Sequence, residues 1–151
     1  MLYRLFEPAD FAPLYAIEEL CFQPPHRFSH AYVSRLTESA QAATWIAEEE
    51  GQLAGFAIVE WSPAADTRAA YIQTVEVTPQ LRGRGIGSEL LRRVEGSASQ
   101  AGARSVWLHV DAENRSAIGL YESHGYLRMN QEEDYYGPSR PGLVYQKPLV
   151  D

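Results

Sequence analysis

Three glycines and two arginines alternate at Arg82–Gly87, within "VEVTPQLRGRGIGSELL". Residue types in this order suit anion binding. Gly83, Gly85 and Gly87 let the backbone turn tightly and come close to a ligand without a Cβ in the way. The residues that follow, Ile86, Gly87 and Ser88, open a helix, and the free amides of a first helical turn attract negative charge. Arg82 and Arg84 add cations suited to phosphate. A P-loop would end in Lys-Ser or Lys-Thr, and a dinucleotide fingerprint would follow a first strand, so neither is present. A second feature is His109 in "ARSVWLHVD". It lies in an alternating strand, at a position usually given to an aliphatic residue. Taken alone, such a histidine reads as a packed core group.

The elements that must position these residues follow from periodicity and turn chemistry. "LYRLF" (Leu2–Phe6) reads as a first strand. Phe11, Leu14, Ile17, Glu18 and Cys21 have helical spacing. "QPPHR" must be a loop, because adjacent prolines fix φ and remove donors. A second helix covers Ser29–Ser39 with Ser29 as cap. "AATWIAEEE" and "QLAGFAIVEW" form a hairpin across "EG". "AAYIQTVEVTP" is a strand ended by Pro79. Ile86, Leu90, Leu91, Val94 and Ala98 mark one face of a helix that stops at Gly102. After the His109 strand, Asn114 caps a helix through His124, which Gly125 ends. "YLRM" and "GLVYQKPL" close the chain around an acidic loop. The order β-α-α-β-β-β-α-β-α-β-β predicts an α/β domain with a mixed sheet.

The 151 residues suit one domain, 1–151, with a full core. The net charge of −7 disfavours a nucleic-acid partner, since phosphate binding needs a positive surface. No apolar run is long enough to span a bilayer. The N-terminus lacks the basic-then-apolar order of a signal peptide. A single cysteine, Cys21, excludes an internal disulfide and points to a reducing cytoplasm. No metal site is expected.

The stretch from Tyr71 to Tyr126 resembles the GNAT superfamily of acetyl-CoA-dependent N-acetyltransferases. The resemblance rests on Arg82-Gly83-Arg84-Gly85-Ile86-Gly87, which looks like that family's pyrophosphate loop, and on "NRSAIGLYESHGY". It implies a mostly antiparallel sheet of about seven strands, splayed between the fourth and fifth and flanked by four helices. It implies acetyl-CoA as cosubstrate, with the backbone of Val75, Glu76 and Val77 holding the pantetheine arm. A bulge there would aim an N–H at the thioester oxygen. Asn114 matches a pantetheine-contacting asparagine, and Tyr121 matches a tyrosine placed at the CoA sulfur.

Within the superfamily, "YIQTVEV" and "LHV" are similar to amino-terminal protein acetyltransferases that use a tyrosine on the fourth strand and a histidine on the fifth. Tyr71 and His109 match those positions. Only a neutral amine attacks a thioester, and an imidazole can take its proton. Tyr121 could give a proton to the leaving thiolate. Glu76 is a rival base, expected to face away from Val75, Val77 and Tyr71. His26 and His124 are expected at the surface. The bacterial enzymes that acetylate a ribosomal protein carry glutamate at the His109 position, so this chain departs from them. Phe22 and Pro24 resemble a loop that grips a peptide N-terminus, and Tyr135 and Tyr136 match a paired tyrosine in the last loop. Glu132, Glu133 and Asp134 beside them favour a cationic acceptor. The expected reaction is direct acetyl transfer to the α-amine of a protein or peptide. The alternatives are a small-molecule amine or polyamine acetyltransferase and a catalytically inactive acyl-CoA sensor.

Overall fold

The structure is a computed structural model and describes residues 1–62 and 68–149. In chain order the elements are β1 (Leu2–Leu5), α1 (Phe11–Cys21), α2 (His30–Glu38), β2 (Ala42–Glu49), β3 (Gln52–Trp61), β4 (Ala69–Val77), α3 (Ile86–Gln100), β5 (Ser105–Asp111), α4 (Arg115–Ser123), β6 (Leu127–Glu132) and β7 (Gly142–Pro148). Short 3-10 turns precede α1 and follow β4. Among the described residues no helix is long and apolar enough to cross a membrane.

The ends of these elements follow local rules. Ser29 caps α2 by accepting from the Tyr32 amide, and Asn114 caps α4 by accepting from the Ala117 amide. Glu50 and Gly51, both at positive φ (52° and 79°), make the tight turn between β2 and β3. Gly102 and Gly125 take positive φ just past α3 and α4.

The seven strands form one mixed sheet in the order β1-β2-β3-β4-β5-β7-β6. β4 and β5 are parallel, and the other neighbours are antiparallel. The helix α3 crosses over between the parallel pair. β4 and β5 pair only where Ala69–Tyr71 meet Ser105–Trp107. Beyond that they part, which is the splay expected between the fourth and fifth strands.

The alternation along each strand sends its side chains to two cores. On one face α1 and α2 bury Leu14, Ile17, Val33 and Leu36 against Ile46, Phe56 and Ile58. On the other, Leu90, Leu91 and Val94 of α3 pack on Val59, Ile72 and Val106.

Candidate active site

The register of β4 against β3 slips at one point. Thr74 pairs with Ile58, but Ile72 pairs with Val59, so Gln73 is an extra residue. This is a β-bulge. Polar contacts hold it: the Tyr32 hydroxyl of α2 donates to Gln73 Oε1 at 2.9 Å, and Gln73 Nε2 donates to the Glu60 carboxylate. The bulge expected around Val75–Val77 therefore falls at Gln73, before them.

The extra residue also changes which side chains share a face. Glu76 stands opposite Phe56 and Tyr71 opposite Glu60, whereas Val75 stands opposite Ala57. Phe56 faces α1 and α2, and Ala57 faces α3. Glu76 points away from Val75 and Val77, as expected. It does not point away from Tyr71, because the bulge restores the two to one face.

Where β4 and β5 diverge, a cleft of about 450 Å³ opens. Its walls include Val75, Glu76 and Val77 of β4, Arg82, Gly83 and Gly85 of the turn, and Ile86, Gly87 and Ser88 of α3. Asn114 and Tyr121 close it from the α4 side, and Phe22 with Cys21 from the end of α1. Gly83 and Gly85 sit at φ 81° and 84°, a region that strains any other residue. α3 begins at Gly85 without a side-chain cap, so its first amides have no side-chain acceptor and suit an anionic ligand.

The two arginines diverge. Arg82 borders the cleft; it donates to the Val77 carbonyl at 3.1 Å and to Cys21 Sγ at 3.4 Å. Arg84 is not among the lining residues and pairs with Glu49 at 2.9 Å. Ser88 lines the cleft, and its hydroxyl lies 3.0 Å from His124 Nε2. That contact draws His124 in from the surface position expected for it, and burial lowers its pKa. The Tyr121 side chain is buried, and burial pushes its phenol well above the usual tyrosine range. It keeps its proton and is a donor.

A second group of residues occupies the α1/α2 face of β4 and β5. Tyr71 Oη and His109 Nδ1 are 2.9 Å apart. Neither is among the residues lining the cleft. Burial first, then the neighbouring Tyr135 phenol, pushes Tyr71 far above the ordinary range, so it serves as a neutral hydrogen-bonding group and not as a phenolate base. His109 is sandwiched among rings. Tyr135 stacks flat on it at 4.0 Å and 7°, and Trp107 meets it edge-on at 5.4 Å. His109 Nε2 lies 3.2 Å from Glu132 Oε1 but not in hydrogen-bonding alignment. Gly142 makes the stacking possible: a Cβ there would sit 2.9 Å from the Tyr135 ring.

The loop residues divide between the cleft and the aromatic cluster. Phe22 lines the cleft, while Pro24 is exposed and does not. Tyr136 stacks on His26 at 5.2 Å and 8°. His26 Nε2 lies 3.4 Å from Asp111, which also pairs with Arg140. His26 is therefore half-buried in a clasp between two loops, not a surface residue. Burial, then the Tyr135 and Tyr121 phenols, raise the pKa of Tyr136 well above its usual range, so the aromatic cluster adjoins the cleft at its Tyr121 end. Asp111 and Arg140 carried no signal in the sequence. Glu18 did: it is a carboxylate on the apolar stripe of α1 and is completely buried.

These features have counterparts among known proteins. The chain is 39% identical over 90 residues to streptothricin acetyltransferase of Streptomyces lavendulae, an overlap covering 59% of this chain and 47% of that protein. The chain spans about half the length of the first curated relatives it matches. Its fold superimposes on the ribosomal-protein-S18-alanine N-acetyltransferase of Escherichia coli with a TM-score of 0.86 at 22% identity, over 99% of this chain and 94% of that one. It superimposes on Arabidopsis thaliana NAA60 in complex with acetyl-CoA with a TM-score of 0.83 at 22% identity, over 98% of each chain. Residues 11–126 match the acetyltransferase (GNAT) family, and the chain belongs to it.

Proposed function

We propose that this protein transfers the acetyl group of acetyl-CoA to a primary amine, most favourably the α-amine of a protein or peptide, by direct attack in a ternary complex. The observation that carries the reading is the cleft between the splayed strands, with an uncapped helix start and two positive-φ glycines at one end and a buried phenol at the other. The first amides of α3 and the Arg82 guanidinium would hold the pyrophosphate. Val75–Val77, freed from β5, would present backbone groups to the pantetheine arm, and Asn114 would meet it from the start of α4.

His109 is the proton acceptor for the amine, with Tyr71 fixing its ring through the 2.9 Å hydrogen bond. Because neither lines the cleft, the proton reaches His109 through water or along the Tyr71 hydroxyl. Tyr121 donates to the leaving thiolate. Tyr135, Tyr136 and Phe22 wall the acceptor side. Pro24 grips the acceptor from the exposed loop edge. Glu132, Glu133 and Asp134 place carboxylates next to that wall, which suits a cationic acceptor. Arg84 reaches a phosphate only if it leaves Glu49.

A small-amine acceptor is the second reading, and the 39% identity to a streptothricin acetyltransferase is what favours it. CoA release measured across a panel of peptides and small amines separates the two. Turnover confined to small amines overturns the peptide reading, and no turnover on any acceptor favours an acyl-CoA-binding sensor.

A further inference from the structure

Glu18 of α1 and Glu76 of β4 are buried carboxyl groups, 0% and 3% exposed. Each has one oxygen held by a neutral donor. The Phe28 amide donates to Glu18 Oε2 at 3.0 Å, and the Thr74 hydroxyl donates to Glu76 Oε2 at 2.7 Å. The other oxygens, Glu18 Oε1 and Glu76 Oε1, are buried without any donor. After burial itself, Glu18 is the neighbour that most raises the Glu76 pKa, which places the two carboxyl groups side by side. Two acceptors cannot bond each other, and two anions cannot share a dry site unpaired. One proton between them turns two orphaned oxygens into a charge-assisted hydrogen bond.

The remaining groups around the pair do not replace that proton. Arg82 is the nearby cation, but it is spent on the Val77 carbonyl and Cys21. Cys21 is a neutral thiol, pushed up to about 11 by burial and then by Glu76. Tyr121 lines the same cleft as Glu76, and burial, then the Glu76 charge, make it hold its proton more tightly. Tyr71 lies on the same sheet face and is neutral, with His109 beyond it.

We propose that Glu18 and Glu76 share one proton and that the pair is the proton store of the cleft, feeding the leaving thiolate through Tyr121. The proposal rests on the acetyl-transfer reading. In that reaction a C–N bond forms, the C–S bond breaks, one proton leaves nitrogen and one reaches sulfur. As the Tyr121 phenol donates to sulfur, the proton of the pair replaces the one it loses. The proton released by the amine, carried from His109 by water, then restores the pair. The pair ends as it began, and no oxidant or further reactant is required.

Infrared spectra of the unliganded protein at neutral pH test the sharing. A protonated-carboxyl C=O band is expected, lost at alkaline pH and missing from the Glu18→Gln/Glu76→Gln double variant. Kinetics test the relay. Wild-type kcat should fall at alkaline pH as the pair loses its proton. Glu76→Gln should lower kcat on the order of a hundredfold, flatten that limb and leave the KM for acetyl-CoA unchanged. Glu18→Gln should flatten the same limb, which serves if one variant folds poorly. A purely structural pair would alter stability and leave the limb in place. No protonated-carboxyl band in the wild type, or a folded Glu76→Gln with wild-type kcat and limb, overturns the proposal. A silent amine panel would count against acetyl transfer instead, since the band is read with no acceptor present.

Discussion

Tyr121 and Glu76 line one cleft, and burial is the main cause that raises the pKa of each. For Tyr121 this makes the hydroxyl hydrogen the useful part. Tyr121→Phe removes that hydrogen and little volume, so kcat should drop roughly a hundredfold with the KM for acetyl-CoA nearly unchanged, as steady-state CoA release will show. For Glu76 the consequence is a stability change with a definite sign. Burial, then Glu18, raise its folded pKa above the unfolded value. The folded chain keeps a proton that the unfolded chain gives up. That contribution is complete below the ordinary glutamate value of about 4.3 and is lost as pH rises through the folded value. Glu76→Gln should match wild type in mildly acidic buffer and melt higher in mildly alkaline buffer, by about 2–4 °C per kcal/mol relieved. Thermal unfolding followed by circular dichroism at both pH values checks it.

At the scale of elements, the turn into α3 separates two arginines that look equivalent in the sequence. Arg82 borders the cleft, and its loss should weaken acetyl-CoA binding about tenfold, near 1.4 kcal/mol. Arg84 is half-exposed and paired with Glu49, a type of contact worth about 0–1 kcal/mol, so Arg84→Ala should change that affinity much less. Isothermal titration of both variants with acetyl-CoA decides between them. The β5–β7 pairing makes a second case. Gly142 stands opposite Asp111 and leaves room for Tyr135 to lie on His109. Gly142→Ala pushes that ring away. On the proposed acceptor role of Tyr135, it should raise the KM for the acceptor severalfold while sparing acetyl-CoA affinity, because Tyr135 does not line the cofactor cleft.

Over the whole molecule, the sheet order places β7 between β5 and β6, so the loop between the last two strands folds back over the His109 strand. The acidic segment Glu132–Asp134 rides in with it, on a chain whose net charge is −7. If the acceptor is cationic, its KM should rise as salt is added, since screening at about 0.1 M already acts within about 10 Å. A neutral acceptor should show no such trend, and peptide kinetics at two salt concentrations compare them. Much of this architecture was legible locally. Helical spacing in α1 and α3, the Ser29 and Asn114 caps and the two-residue β2–β3 turn depend on neighbours in the chain, so residue types reveal them. The glycine-rich turn into α3 was legible for the same reason. Other features depend on partners distant in sequence. The bulge at Gln73 exists through the register of β4 on β3 and the grip of Tyr32, and it reverses the expected relation of Glu76 to Tyr71. His26 reads as a loop histidine until Tyr136 and Asp111 reach it. Glu18 reads as one polar residue on an apolar stripe until the packing of α1 buries it completely, with the Phe28 amide on one oxygen. Backbone preference and periodicity act over a few residues and so survive in the sequence. Burial, charge pairing and proton affinity arise from groups that meet only when the sheet closes, and those are what turn a cleft into a candidate catalyst.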